Sequence, residues 1–146
     1  MQNKQKKRIS VGGVVLNIKG QVLVVSQHGN SWSLPKGGIN EGEDPKTCLH
    51  REMEEETGIK NFKIIKYLGS YERYRISKDT KGDDKSLLKK FIIFLCKTNE
   101  TKLEPSDPHN PEARWVDKDK VADLLTHPKD KEFFKSVSNK IDYEIG

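Results

Sequence analysis

The residues from 44 to 58 constrain the fold more firmly than any other stretch of the sequence. Asp44 precedes Pro45, which pairs a helix-capping side chain with a proline suited to the first helical position. Gly58 supplies a matching stop, because glycine readily adopts the left-handed conformation that ends many helices. The sequence therefore predicts a helix over residues 45–57, around which the rest of the chain must fold.

The predicted helix and the residues just before it are strongly acidic. Residues 41–56 hold seven acidic and two basic side chains, so a whole-chain charge of +5 leaves +10 elsewhere. At ~100° per residue, Glu52, Glu55 and Glu56 fall within an arc of ~100°, whereas Glu54 points to the opposite side. Crowded carboxylates repel one another, and a bound Mg²⁺ or Mn²⁺ would relieve that repulsion. A solvated acidic helix face is the other interpretation of the same run.

Apolar and β-branched runs on both sides of the helix predict the strands of a sheet. The predicted strands cover residues 9–18, 22–25, 31–34, 62–76, 87–96 and 113–116, and Gly20 turns the first two into a hairpin. Residues 35–38 predict an irregular loop, and residues 77–85 a charged one. This order of elements predicts an α/β fold with mixed strands and helices.

Two further helices are predicted near the C-terminus, over residues 118–125 and 129–138. Asp117 stands where it could cap the first of them. A length of 146 residues, with no repeat or linker, suits a single domain over residues 1–146, in which residues 1–8 form a basic tail.

Composition excludes several classes of protein. Cys48 and Cys96 have no CxxC spacing, which argues against a disulfide framework or a zinc ribbon and favours free thiols. No run approaches the ~20 apolar residues of a membrane span, and no secretory signal follows the basic N-terminus. We therefore expect a cytoplasmic protein with no membrane association, and nothing indicates an obligate protein partner. A net charge of +5 favours polyanionic partners such as nucleotides or RNA.

The residues around the glutamates resemble the signature box of the Nudix hydrolase family. The box spans residues 37–59: Gly37, five residues, Glu43, seven residues, and then Arg51-Glu52-Met53-Glu54-Glu55-Glu56-Thr57-Gly58-Ile59. Every defined position matches, and weaker similarity extends over residues 11–125. The resemblance implies a Nudix α/β/α sandwich with a mixed central sheet. It also implies metal-dependent hydrolysis of a phosphoanhydride bond in a nucleoside diphosphate derivative.

The resemblance also implies which residues of the box hold the metal. Glu52, Glu55 and Glu56 would be both metal ligands and catalytic residues, and the backbone carbonyl of Gly37 would add a ligand. Mg²⁺ is the implied cofactor, with Mn²⁺ as an alternative. Such an ion could neutralise phosphate oxygens and lower the pKa of the attacking water together.

Two further catalytic residues follow from the resemblance. Arg51 would orient the carboxylates by pairing with Glu43 or with a glutamate of the helix. The general base stays open, because it varies within the family and is sometimes a carboxylate from a distant loop. Glu112 is the candidate for that second arrangement, and an exposed charge at a strand edge is its other interpretation.

Substrate contacts are less firmly indicated. Tyr71, Arg73, Tyr74 and Arg75 could stack on a base and pair with phosphates. In a strand, Tyr71, Arg73 and Arg75 would share one face and Tyr74 the other, so only one set could reach the site. Ordinary packing with a solvated face explains them equally well. Lys36, beside the box, is the stronger candidate for a phosphate contact.

A cationic stretch after this cluster could also reach a long polyphosphate, although solvated side chains explain it as well. Its members are Lys78, Lys81, Lys85, Lys89 and Lys90.

The lead-in to the box bears on the choice of substrate. Residues 34–38 resemble those of diadenosine polyphosphate hydrolases, and residues 38–43 are similar to those of bacterial RNA pyrophosphohydrolases. The sequence thus favours a dinucleoside polyphosphate, such as diadenosine tetra- or hexaphosphate, as the substrate. An RNA 5′ pyrophosphohydrolase and a nucleoside triphosphate pyrophosphatase are the alternatives within the family. A catalytically silent nucleotide- or RNA-binding module is the non-enzymatic alternative.

Overall fold

The computed structural model describes residues 6–27, 30–76, 83–106 and 112–145, without the side chains of residues 75, 76, 83–86 and 142–145. Ten elements follow one another along the chain. They are β1 (Lys6–Leu16), β2 (Val22–Gln27), β3 (Ser31–Ser33), β4 (Lys36–Gly38), α1 (Pro45–Thr57), β5 (Lys63–Ile76), β6 (Asp83–Lys97), β7 (Ala113–Val116), α2 (Lys118–Leu124) and α3 (Pro128–Ile145). None of the described helices is long and apolar enough to cross a membrane.

The seven described strands form one mixed sheet. Its main order is β3-β2-β1-β6-β5, while β4 pairs with β1 and β7 pairs with β2. β1 and β6 run parallel, and the other strand pairs are antiparallel. The predicted hairpin is confirmed, because Leu16 at the end of β1 faces Val22 at the start of β2. The parallel pairing places the N-terminal half of β1 beside the charged first half of β6.

Helices cover both faces of the sheet, because successive side chains of a strand point to opposite faces. Val11 and Val15 of β1 pack with Leu49 and Met53 of α1. Val14, from the same strand, packs in a second cluster on the other face with residues of α2 and α3. The α/β/α sandwich with a mixed central sheet is therefore confirmed.

The central helix begins and ends where the sequence predicts. The Asp44 carboxylate accepts a hydrogen bond of 2.8 Å from the Thr47 amide. Gly58 has a φ of 82°, and its amide donates to the Glu54 carbonyl at 2.9 Å. A β-carbon at Gly58 would lie 2.7 Å from the Glu104 carbonyl oxygen, so glycine also lets the chain pass closely there.

The prediction of an irregular loop at residues 35–38 is wrong for most of that stretch. Lys36–Gly38 forms the short strand β4, which pairs with Ser10, Val11 and Gly12 of β1. A β-carbon at Gly12 would lie only 2.5 Å from the Pro35 carbonyl oxygen. The missing side chain of Gly12 therefore allows the close approach that fixes β4.

Other boundaries also differ from the prediction. β1 already begins at Lys6, so the last residues of the expected tail are strand, and β6 begins at Asp83 within the expected loop. α3 extends over Pro128–Ile145, well beyond the predicted end at 138. Asp117 does precede α2, but its side chain makes no capping hydrogen bond.

Candidate active site

The site is built where β4 meets α1, and Gly37 is the point of contact. A β-carbon at Gly37 would lie 2.0 Å from Cδ and 2.1 Å from Oε2 of Glu52. Such distances mean that the Glu52 carboxylate lies directly on the glycine backbone. Glycine is therefore required at this position by contact with Glu52.

Arg51 lies between the acidic side chains of the site and contacts several of them. Its Nε and Nη2 donate to the two carboxylate oxygens of Glu43 at 2.9 and 2.8 Å. Its Nη1 donates to Glu52 at 2.6 Å and lies 3.6 Å from a carboxylate oxygen of Glu55. Hydrogen bonds from Arg51 lower the pKa of Glu43 to about 2. Arg51 therefore contacts both of the partners that the sequence offered it, Glu43 and a glutamate of the helix.

The three glutamates of α1 lie in different surroundings. Glu56 is only 1% exposed, and its Oε2 accepts a hydrogen bond of 2.9 Å from the Lys36 amide. The side chain of Glu52 is 13% exposed and that of Glu55 is 46% exposed. Glu54 lies on another side of the helix, where its carboxylate is 4.0 Å from Lys60 Nζ. Glu52, Glu55 and Glu56 thus form one acidic edge of α1, graded from buried to exposed.

This acidic edge and the Gly37 carbonyl offer only oxygen atoms, the ligand type that Mg²⁺ and Mn²⁺ prefer. In the part of the chain that the structure describes, no three acidic, histidine or cysteine side chains gather closely enough to hold an ion. Arg51 engages Glu52, and the Lys36 amide engages Glu56. The donor chemistry of these oxygen atoms fits a hard cation.

A cleft of about 330 Å³ lies beside the acidic edge. Glu52 is the one acidic residue among the described residues that line it, and Phe91 of β6 contributes an aromatic ring. Its walls are otherwise strongly basic, and we call it the cationic cleft after five of its lining residues: Arg8, Lys36, Arg51, Arg73 and Lys89. A cleft with this excess of positive charge attracts anions such as phosphates.

Lys36 lies at the inner wall of the cationic cleft. Its side chain is 4% exposed, and its Nζ is 3.9 Å from Asp130 Oδ2 and 5.1 Å from the centre of the Phe91 ring. Burial lowers the pKa of Lys36 to about 8, against the opposing effect of the Asp130 carboxylate. Within the described residues, Lys36 Nζ has no hydrogen-bond partner.

The structure separates the predicted cluster on β5. Arg73 lines the cationic cleft, and its Nε donates to Asp130 at 3.1 Å. Tyr71 does not line the cleft; its hydroxyl donates to Asp130 at 2.5 Å and its ring stacks on Phe133 at 4.7 Å. Burial and the nearby Asp130 carboxylate raise the pKa of Tyr71. Tyr71 therefore packs against the core beneath the site.

The remaining candidates lie away from the cationic cleft or outside the described side chains. Tyr74 is half-buried and does not line the cleft, and Arg75 is in β5 but its side chain is not described. Glu112 forms an ion pair with Arg114 and is not among the residues that line the cleft.

The lysine stretch is only partly covered by the structure. Lys89 lines the cationic cleft, whereas the half-buried Lys90 does not. Lys85 is in β6 without a described side chain, and Lys78 and Lys81 lie outside the described residues.

Several residues at the site were missed by the sequence analysis. Arg8 was assigned to a tail, but the parallel pairing of β1 with β6 places it opposite Lys89. Asp130 lies at the start of the helix predicted over residues 129–138, and its sequence neighbours do not connect it with the site. Neither has a local signal, because both reach the site only through the order of strands and the packing of α3.

Comparison with known proteins identifies the family. The family model of the NUDIX domain matches residues 6–137. RNA pyrophosphohydrolase from Pelagibacter ubique (strain HTCC1062) is 34% identical over 144 residues, covering 92% of this chain and 90% of that protein. RNA pyrophosphohydrolase from Proteus mirabilis (strain HI4320) is 33% identical over 120 residues, covering 75% of this chain and 68% of that protein.

Solved structures show the same fold. The MutT protein from Methanosarcina mazei Go1 has a TM-score of 0.70 at 25% identity, covering 97% of this chain and 96% of that one. A C. elegans Ap4A hydrolase has a TM-score of 0.71 at 18% identity, covering 93% and 98%, a likeness of fold alone. The match to the family model over most of the chain, together with this fold, defines the class as a NUDIX-domain protein. The chain belongs to the Nudix hydrolase family, as its signature box indicated.

Proposed function

We propose that this chain is an RNA pyrophosphohydrolase, which hydrolyses a phosphoanhydride bond at the 5′ end of RNA. The observation that carries the proposal is the cationic cleft, which adjoins the Glu52 carboxylate of the acidic edge. The relatives support it, since both of those described above are named RNA pyrophosphohydrolase. The sequence alone favoured dinucleoside polyphosphates, and these names favour its alternative instead.

The charges of the cleft suit a 5′-terminal polyphosphate. Arg51 is already paired with Glu43 and Glu52, so these two carboxylates largely neutralise its charge. Lys36 and Arg73 share the single carboxylate of Asp130, which leaves the group with an excess of positive charge. Arginine and lysine side chains in such a setting bind phosphate oxygens through charge-assisted hydrogen bonds.

Mg²⁺, with Mn²⁺ as an alternative, is part of the proposal. Glu52, Glu55, Glu56 and the Gly37 carbonyl would hold it, and a bound ion would activate water and neutralise phosphate charge. The protein's own part is to orient the carboxylates: Arg51 fixes Glu52, and the Lys36 amide fixes Glu56. Glu112 does not line the cleft and has no role in the proposed reaction.

A cytoplasmic location completes the proposal. Cys48 and Cys96 are both free and buried, and unpaired thiols suit a reducing compartment.

The test compares turnover of a 5′-triphosphorylated RNA oligonucleotide, diadenosine tetraphosphate and a nucleoside triphosphate, each with Mg²⁺ and with products resolved. We expect kcat/KM for the RNA to exceed the others by about tenfold or more. Glu52→Gln and Glu56→Gln should each lower kcat by about 10²-fold or more, because each removes a charged oxygen ligand. Binding of Mn²⁺, followed by its paramagnetic resonance, should weaken in the same variants.

Glu54→Gln is the matched control, because it makes the same change on the same helix away from the cleft. It should retain activity and Mn²⁺ binding to within about twofold. Full turnover by Glu52→Gln and Glu56→Gln would overturn the assignment of the acidic edge. Faster hydrolysis of diadenosine tetraphosphate than of RNA would restore the dinucleoside alternative. Binding of RNA without any metal-stimulated turnover would identify a silent binding module.

A further inference from the structure

A buried carboxylate outside the signature box organises one wall of the cationic cleft. Asp130 lies in the first turn of α3 and is only 1% exposed. Its two carboxylate oxygens contact side chains of two other elements, β5 and β4. Oδ1 accepts from Tyr71 at 2.5 Å and from Arg73 at 3.1 Å, and Oδ2 lies 3.9 Å from Lys36 Nζ.

Lys36 and Arg73 are held from two sides. The Phe91 ring lies 5.1 Å from Lys36 Nζ and 4.9 Å from the Arg73 guanidinium carbon. Asp130 contacts the same two groups, and among the described residues it is the one carboxylate within ion-pair distance of either. Two buried cations so close together repel each other, and a shared anion lowers the cost of holding both in place.

Both cations also face a possible ligand. Lys36 and Arg73 line the cationic cleft, whereas Asp130 does not. Lys36 Nζ has no hydrogen-bond partner among the described residues, although its side chain is only 4% exposed. These ammonium hydrogens have no acceptor in the described part of the cleft wall, at a nitrogen that is itself buried, and an anion that entered the wall would supply one. Asp130 can act on such an anion only through the two cations.

We propose that Asp130 is a positioning residue, which holds the Lys36 and Arg73 side chains in place to receive the phosphates of the substrate. The inference rests on the proposed function, since it takes the cationic cleft as the site of a polyphosphate. It also adds a requirement from outside the signature box. α3 lies on the far side of the sheet from α1, and through Asp130 it sets the geometry of the cleft wall that contains Lys36 and Arg73.

The first test measures binding without turnover. Inorganic tripolyphosphate is titrated calorimetrically into the wild type and into Asp130→Asn, which keeps the shape of the side chain but removes its charge. We expect the Kd to rise by about tenfold or more in the variant. With triphosphorylated RNA, KM should rise by a similar factor while kcat changes less, because the acidic edge is untouched.

The second test asks whether Asp130 acts through the two cations. In a Lys36→Met/Arg73→Met background, Asp130→Asn should change the Kd for tripolyphosphate by less than about twofold, since its partners are gone. If Asp130→Asn shows no cooperative melt, Asp130→Glu replaces it, because the longer side chain keeps the charge but shifts it. An unchanged Kd in the single variant, or an equal rise in both backgrounds, would overturn the proposal.

Two controls separate positioning from mere stability. Glu132→Gln removes a carboxylate from the same helix, where its side chain is 74% exposed and pairs with Lys129, and should leave the Kd unchanged. Val137→Ala thins the packing of α3 against the core and should lower the melting temperature without altering the Kd. If tripolyphosphate binding depends on Asp130 but RNA is not hydrolysed, the proposed function fails and the positioning role stands. If RNA is hydrolysed with the same KM by the wild type and by Asp130→Asn, the positioning role fails and the proposed function stands.

Discussion

A single missing side chain sets the geometry between β4 and the acidic edge. The backbone of Gly37 lies against the Glu52 carboxylate, and Arg51 holds the other side of that carboxylate at 2.6 Å. Glu52 is thus confined between a glycine backbone and a guanidinium group. Its position depends on the absence of one carbon atom.

Gly37→Ala should therefore damage activity far more than stability. The new β-carbon would lie 2.0 Å from Glu52 Cδ, so the carboxylate must move by more than an ångström. If Glu52 has the catalytic role proposed above, a shift of that size should cost about 10²-fold in kcat/KM. Gly38→Ala is the matched control, because its β-carbon would find only Arg8 Nε, at 3.6 Å. Steady-state kinetics and thermal melts of both variants test this, and equal activity in the two would refute the steric argument.

How far the sequence predicts the site depends on how local each contact is. Glu52, Glu55 and Glu56 could be placed on one edge from helix periodicity alone, and Arg51 from its place in the box. The Lys36 contact with Asp130 could not, because it joins residues far apart in sequence through the packing of α3. Local spacing predicts the acidic edge, whereas only the tertiary structure shows the wall of the cationic cleft at Lys36.

The helix caps also show that local sequence does not predict every contact. Asp44 and Asp117 stand at equivalent places directly before α1 and α2, although only Asp44 is followed by a proline. Asp44 accepts a hydrogen bond from the Thr47 amide, whereas Asp117 makes no capping bond. Asp117 instead lies 3.4 Å from the Gln21 side-chain amide of the β1–β2 turn. A tertiary contact has replaced the local one.

The two aspartates should accordingly respond differently to truncation. At pH 7, Asp44→Ala should lower the melting temperature by about 2–4 °C, and Asp117→Ala by about half as much or less. The Thr47 amide lowers the pKa of Asp44, so its capping energy is present above the unfolded pKa and is lost as the pH falls through the folded one. The gap between wild type and Asp44→Ala should therefore narrow below about pH 4. Melting curves from pH 7 to pH 3 test this, and a gap independent of pH would contradict it.

The strand β4 shows why an element can escape prediction altogether. Proline and two glycines normally disfavour a strand, and residues 35–38 carry all three. The strand forms because Gly12 of β1 has no side chain to keep Pro35 at a distance. The information that decides the conformation of residues 35–38 thus lies more than twenty residues earlier in the chain.

Charge is segregated across the whole molecule. Residues 41–56 carry a net negative charge on a chain of +5, while the adjoining cleft gathers five basic side chains. Under the proposed function, a polyphosphate would bind in the cleft and a cation at the acidic edge, so the two ligands would meet at Glu52.

The salt dependence of KM tests this segregation. Binding of triphosphorylated RNA releases counterions, so log KM should rise linearly with log salt, with a slope of about 0.7 for each phosphate neutralised. Arg8 lies at the edge of the cationic cleft, and Arg8→Gln should lower that slope by about 0.7. Lys102→Gln is the control, because Lys102 is 83% exposed and pairs with Glu104 outside the cleft. A KM for RNA that is insensitive to salt between about 50 and 200 mM would mean that the cleft cations do not meet the phosphates.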